Sequence, residues 1–134
     1  MITIKAPKRI SDNYGQGHFG APRGNRTHKG EDFLCCVGSF ILAPASGKIT
    51  KIGYPYGDDL SFRYVQIETV EGLNVRVFYI SPTVKLGDMV FKGRSEIGIS
   101  QELGQRYKGI SEHVHLEIKD EQGNYLDPSD IFKD

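Results

Sequence analysis

A chain of 134 residues, 38% hydrophobic and 25% charged, leads us to expect one folded globular domain rather than a disordered segment. Seventeen basic and seventeen acidic residues cancel, which removes the excess positive charge that drives non-specific nucleic-acid binding. The longest apolar run, Phe40 to Ala43, is far short of the ~20 residues of a membrane-spanning helix, and Met1 to Arg9 holds no apolar core of secretory-signal length.

Glycine and proline, 16 and 6 residues, exceed the usual share of ~12%, so many turns and short strands are expected. The window 11–30 holds five glycines and one proline and reads as loop. From Asp32 onward the pattern repeats every two residues. Ser39 to Leu42 is a short apolar strand, and Gly47 to Ile52 alternates after a Ser-Gly turn. Tyr64 to Glu68 sets Val65 and Ile67 against Gln66 and Glu68. The turn signal Glu71-Gly72 joins it to a strand predicted from Leu73 to Ile80 as a hairpin. Val84 to Ser100 is punctuated by glycine, Gln101 to Lys108 is a short helix or a loop, and His113 to Ile118 is another strand. Asp127 is placed to cap one helical turn over Pro128 to Phe132. With strand following strand, the fold class is all-β: an antiparallel sheet groove, open sandwich or open barrel with little helix. We divide the chain into an irregular segment 1–27, a motif-bearing core 28–119 and a tail 120–134.

Cys35 and Cys36 are neighbours with Cα atoms ~3.8 Å apart, closer than a disulfide usually spans. They are expected as two thiols on opposite faces of one strand.

Two of the four histidines form His113-Val114-His115. On a strand His113, His115 and Glu117 share one face, while Val114, Leu116 and Ile118 take the other. The apolar face then packs into a core and the histidine face looks into a groove. The alternative is a half-exposed strand whose histidines have no task. The second element, His28-Lys29-Gly30-Glu31-Asp32, reads as a loop entering a strand, or else as an unrelated loop histidine and turn aspartate. Taken together, two histidines and an aspartate are ligands of the kind Zn²⁺ takes, with a fourth position open to water. That is the catalytic pattern, and the remaining histidine would be a proton acceptor for the water.

These segments resemble the lysostaphin-type (LytM-like) zinc metallopeptidases. Arg26 to Phe33 resembles the family's first metal motif, Ala43 to Ile49 its following turn and strand, Val84 to Gly93 its Gly-Asp turn, and Ser111 to Ile118 its last strand. The resemblance implies His28, Asp32 and His115 as ligands of one Zn²⁺ and His113 as general base. It also implies hydrolysis of peptide bonds in peptidoglycan cross-links or stem peptides, and the neutral charge balance leads us to expect no nucleic-acid partner. The chain departs from the pattern at one point. Where the family carries a further histidine, Val77-Phe78-Tyr79-Ile80-Ser81-Pro82 has none, and alignment on Pro82 puts Tyr79 there, or Ile80 or Ser81 if the register slips. A tyrosine donates one hydrogen bond to an oxyanion but carries no positive charge.

The same run resembles the leukocyte cell-derived chemotaxin-2 branch of the family, which implies zinc and the fold kept for binding rather than hydrolysis. The branch has a disulfide from the first strand to the tyrosine-bearing strand; here its partner position is expected at Asn74, so no bridge is expected. His18 is expected in an exposed loop, with a lesser possibility that it folds over the site. Tyr14, Tyr54, Tyr56 and Arg63 are minor candidates for lining the groove. The readings are therefore a zinc endopeptidase, a zinc-stabilised binding pseudoenzyme of phage-tail or chemotaxin-like kind, and a metal-free structural domain. Without a visible signal the expectation is cytoplasmic synthesis with release by lysis, a tail structure or a secretion machine. An extracellular protein whose leader is absent from this sequence is the other option.

Overall fold

The computed structural model describes residues 30–128, Gly20, and the backbone of four two-residue strands before them. Those four pair as two short antiparallel ladders, β1 (Ser11–Asp12) with β2 (Gly15–Gln16) and β3 (Pro22–Arg23) with β4 (Arg26–Thr27). Part of the window expected as loop is thus ladder.

The main chain continues as β5 (Glu31–Leu34), β6 (Phe40–Leu42), β7 (Gly47–Gly53), β8 (Tyr64–Glu68), β9 (Asn74–Phe78) and β10 (Ile80–Pro82). It closes with β11 (Met89–Val90), β12 (Glu96–Ser100), β13 (His113–Lys119) and β14 (Tyr125–Leu126). Among the described residues helix is limited to a 3₁₀ turn, Leu103–Gln105, and Pro128. The fold is all-β, and every pairing is antiparallel. The last strand pair also places part of the expected tail, Tyr125–Leu126, in the sheet.

The large sheet runs β11-β7-β8-β9-β13, and the far edge of β13 is shared by β5 and β14. A smaller sheet, β10-β12-β6, covers it. Alternation in β8, β9 and β13 sends Val65, Ile67, Val75, Val77, Val114, Leu116 and Ile118 to the covered face, where all are fully buried. Ile41, Ile80 and Ile97 meet them from the smaller sheet to complete one apolar core. Burying large aliphatic side chains, roughly 1.5–3 kcal/mol each, is what holds the two sheets together.

The predicted β8–β9 hairpin is present. Gly72 adopts φ +86°, which a side chain would resist, and the Thr69 amide donates to the Leu73 carbonyl at 2.9 Å. The predicted strand from Leu73 to Ile80 is not continuous: it breaks at Tyr79, which separates β9 from β10. Tyr79 is the one residue other than glycine with positive φ, 72°, among the described residues. Its amide donates to the Arg63 carbonyl at 2.8 Å, and its carbonyl accepts from the Gln101 amide at 2.9 Å. Here the chain leaves the large sheet and enters the small one.

Cys35 and Cys36 lie beyond the end of β5, half-buried and exposed, and both are free thiols. The Asn74 expectation is corrected. Cys35 donates its amide to Glu112, just before β13, whereas Asn74 pairs with Lys119 at the other end of that strand. Seven residues of strand separate the two positions by about 20 Å, so no substitution at Asn74 would bridge to Cys35. The expected turn at 128–132 lies outside the described residues except for Pro128. Among the described residues no helix is long and apolar enough to cross a membrane.

Candidate functional site

Sheet register assembles the site. His115 stands opposite Asp32 on one side and Phe78 on the other, and Phe78 stands opposite Tyr64. The row Asp32–His115–Phe78–Tyr64 therefore runs across four strands on the face away from the core. Two residues on from His115, Glu117 belongs to the next row, opposite Arg76. The alternation that buried Val114, Leu116 and Ile118 thus aligns three ionisable groups on the opposite face of β13.

His115 is held at both ring nitrogens. Nδ1 lies 2.8 Å from Asp32 Oδ1 and Nε2 lies 3.0 Å from Glu117 Oε1. Burial favours the neutral ring, but the hydrogen bonds it donates to both carboxylates outweigh this and raise the His115 pKa to about 9. His113 directs Nδ1 to the Ser111 carbonyl at 2.7 Å, and its Nε2 lies 3.4 Å from Asp32 Oδ2. A carbonyl accepts only, so Nδ1 carries a proton.

The two histidines of this face are buried. Asp32, His113 and His115 are 1%, 4% and 7% exposed. Aromatic rings close over them: Phe78 and Tyr79 pack against the imidazoles, with Tyr79 edge-on to His113 at 5.7 Å between centroids.

Gly30 explains how Asp32 comes so close. A Cβ there would strike the carbonyl oxygen of Leu116 and would lie 3.0 Å from Cε1 of His115. With hydrogen in its place, the strand entering β5 lies directly on β13. His28, the other residue of this motif, lies outside the described residues, as do His18 and Tyr14. Among the described residues no three His, Cys, Asp or Glu side chains are grouped as a metal ion requires.

The structure brings in residues that sequence reasoning ranked low or passed over. The Tyr56 ring stacks on Tyr79 with centroids 6.1 Å apart, and its hydroxyl donates to the Tyr79 hydroxyl at 3.1 Å. The Tyr107 hydroxyl donates to Tyr56 at 2.9 Å, and Arg106 Nε donates to Tyr107 at 3.2 Å. Buried Phe62 stands edge-on to both Tyr56 and Tyr79. Burial pushes the Tyr79 hydroxyl up to about 12, partly offset by the hydrogen bond from Tyr56, so it keeps its proton at neutral pH. Tyr56 is raised further, again chiefly by burial. Of the minor candidates, Tyr56 joins the site. Tyr54 and Arg63 instead pair with each other, the guanidinium 4.1 Å from the ring centroid.

Two side chains fix the loops that carry these groups. Gln101 accepts from the Arg63 amide at 3.0 Å and donates to the Ser61 carbonyl at 2.6 Å. Glu112 accepts from the amides of Leu103 and Gly104 at 2.6 and 3.0 Å. No signal in the sequence marks Tyr107 or Glu112, because both act through loop contacts that have no period.

A strand carrying His-x-His beside a strand carrying Asp, inside an antiparallel sandwich, is the architecture of the peptidases that the motifs resemble. Residues 26–128 match Peptidase family M23, and the chain belongs to that family. It is 37% identical to leukocyte cell-derived chemotaxin-2 of Mus musculus over 109 residues, 81% of this chain and 71% of that one. Among solved structures it is similar to the catalytic domain of the antimicrobial peptidase lysostaphin from Staphylococcus simulans. The TM-score is 0.69 at 27% identity, covering 90% of this chain and 91% of that one. Against a solution structure of lysostaphin the TM-score is 0.69 at 26% identity, covering 92% of this chain and 53% of that one. The chain thus spans about half of that longer protein.

Proposed function

We propose that the protein is a zinc metalloendopeptidase cleaving peptide bonds, with peptidoglycan cross-links or stem peptides as substrate. The observation that carries this reading is the convergence of His115 Nδ1 and Asp32 Oδ1, 2.8 Å apart and buried. When the proton they share is displaced, His115 Nδ1 and Asp32 Oδ1 offer two adjacent lone pairs to a cation. The hydrogen bond from His115 Nε2 to Glu117 is the kind of carboxylate contact that orients a metal-ligating imidazole. The donor set therefore fits a divalent cation of zinc type, with His28 as the third ligand and a remaining position for water or substrate.

Zinc, when bound, supplies a Lewis acid that polarises a carbonyl and acidifies water. The chain's own residues then have separate tasks. His113, its Nδ1–H held by the Ser111 carbonyl, offers Nε2 to take a proton from the attacking water. Asp32 Oδ2, 3.4 Å from that nitrogen, stabilises the ring once it is protonated. The proton on His113 is then available to the leaving amine. Tyr79 donates its hydroxyl proton to the carbonyl oxygen as negative charge develops there. The surrounding aromatic rings keep bulk water from weakening these interactions.

A second reading is a zinc-supported binding module that does not turn over. Tyr79 favours it, because a phenol supplies a hydrogen bond without the positive charge of an imidazolium. The likeness to a chemotaxin points the same way.

The test pairs metal analysis of the undenatured protein with digestion of purified peptidoglycan by wild type, His113→Ala and Tyr79→His. The peptidase reading expects one zinc per chain, release of peptide fragments, and loss of that release in His113→Ala. Bound zinc with no cleavage by either wild type or Tyr79→His leaves the binding module. A rise of about 10²-fold or more in Tyr79→His would mark a chain that has lost catalytic power. Protein without stoichiometric metal would sink both zinc readings.

A further inference from the structure

We propose that Arg106, Tyr107 and Tyr56 form a directed hydrogen-bond relay that orients the Tyr79 hydroxyl and leaves its proton for the carbonyl oxygen of a bound peptide. Tyr56 and Tyr107 are then positioning residues for Tyr79. The inference rests on the peptidase reading for the identity of the acceptor, but not for the relay itself.

The direction comes from the cation. A guanidinium has donors and no acceptor, so Arg106 Nε–H must give to the Tyr107 oxygen, 3.2 Å away. Arg106 also lies over the Tyr56 ring, 3.8 Å from its centroid. A positive charge at that end aligns the hydroxyl dipoles, oxygens towards it and protons away. Tyr107 therefore donates to Tyr56 at 2.9 Å, and Tyr56 donates to Tyr79 at 3.1 Å. Each phenol owns one proton. Tyr79, the last member, receives one hydrogen bond, and its own proton remains for an acceptor on the side of the histidines, where its ring stands edge-on to His113.

The anchoring of the relay is specific. Asp58 and Asp59 take the two terminal nitrogens of Arg106 at 3.2 and 3.9 Å, which leaves Nε for Tyr107. Gln101 ties down the loop ahead of Arg63, and Glu112 ties down the 3₁₀ turn that leads into Arg106. The backbone of Tyr79 is held at φ 72°, a conformation that residues with a side chain rarely adopt. Held there, the ring stacks on Tyr56 and faces His113 at once. The relay connects a neutral phenol to a permanent cation through three hydrogen bonds. In this way it returns part of the positive character that a histidine at this position would supply.

The experiment reads the hydroxyl directly. Protein labelled with ¹³C at tyrosine Cζ is prepared with and without zinc at neutral pH, and the Tyr79 resonance is assigned by its loss in Tyr79→Phe. Tyr56→Phe keeps the stacking and removes one hydroxyl. It should move the Tyr79 resonance, as should Tyr107→Phe, and Arg106→Gln should move it in the same direction by less. Tyr54→Phe, outside the relay, should leave it in place. A Tyr79 resonance unchanged in Tyr56→Phe, in protein whose amide spectrum is otherwise native, overturns the relay whatever the activity. If peptide hydrolysis is found, kcat should fall about tenfold in Tyr56→Phe with KM unchanged. A rise in KM alone overturns the positioning role. Should the resonance move while no peptide is cleaved by any variant, the relay stands and the peptidase reading falls.

Discussion

The two flanks of the strand carrying His113 and His115 are built by different means. On one flank Asp32 is delivered by sheet register, rung against rung, with Gly30 allowing the strands to touch. On the other flank Tyr79, Tyr56, Tyr107 and Arg106 come from a strand break and two loops, joined by side-chain hydrogen bonds. The ladder flank is backed by the core, since the same strand buries Val114, Leu116 and Ile118 on its reverse face. The loop flank depends on its own ties, Gln101 and Glu112. Within one site, then, Asp32 and His115, two of the groups proposed to hold a metal, share the rigidity of the fold, while the groups proposed to meet the substrate can vary without disturbing it.

The sharpest way to break the ladder flank is Asp32→Ala. It removes a buried carboxylate placed between two imidazoles and leaves His115 without its Nδ1 partner. Measured by urea unfolding with chelator present, the loss should be about 3–5 kcal/mol. Tyr56→Phe, the matching deletion on the loop flank, should cost about 1–2 kcal/mol, because it removes two hydrogen bonds and keeps the stacking. Equal losses would show that the two flanks are not energetically distinct.

Next in size is Gly30→Ala. The added Cβ meets the Leu116 carbonyl, a backbone atom that cannot swing aside. Separation of β5 from β13 should cost about 1–3 kcal/mol and loosen the Asp32–His115 contact, visible as altered histidine side-chain NMR shifts. A smaller effect tests the strained residue on the other flank. Tyr79→Gly and Tyr79→Ala lose the same ring contacts, but only glycine accepts φ 72° without penalty. The glycine variant should be more stable than the alanine variant by about 1 kcal/mol, and a reversed order would show that the backbone does not hold that conformation under strain.

The contrast between the flanks also explains what the amino-acid order disclosed. A period of two placed β8 and β13 and assigned Val114, Leu116 and Ile118 to the core, because alternation follows from strand geometry itself. The His-x-His and the aspartate were legible for the same reason, as both lie on strands. The meeting of Asp32 with His115 was legible only through the family resemblance, since register between distant strands leaves no local trace. The break at Tyr79 was not legible: Val-Phe-Tyr-Ile is a strong strand sequence, and the left-handed turn is imposed by the bonds to Arg63 and Gln101. Tyr107 and Glu112 were missed because a tyrosine and a glutamate in a glycine-containing loop carry no pattern. The packing of Phe78 and Tyr79 on the histidines follows from the same break and was invisible for the same reason.

The smallest effect uses the two thiols as reporters of the ladder flank. Cys35 sits one residue past β5 with its amide bonded to the Glu112 carbonyl, so it marks the end of the strand that carries Asp32. Burial raises its pKa, only partly offset by a hydrogen bond with Ser100, and lowers its thiolate fraction near neutrality. Cys36, the next residue, is exposed. Alkylation at pH 8 followed by mass spectrometry should therefore modify Cys36 first, by about tenfold or more over Cys35. In Gly30→Ala the Cys35 rate should rise towards that of Cys36, because the thiol becomes accessible when β5 lifts from β13. In Tyr56→Phe it should not change, since the lost hydroxyl bonds Tyr79 and Tyr107, away from Cys35. If Cys35 responds equally to both substitutions, the two flanks move as one unit and the division between a rigid ligand side and an adjustable substrate side fails.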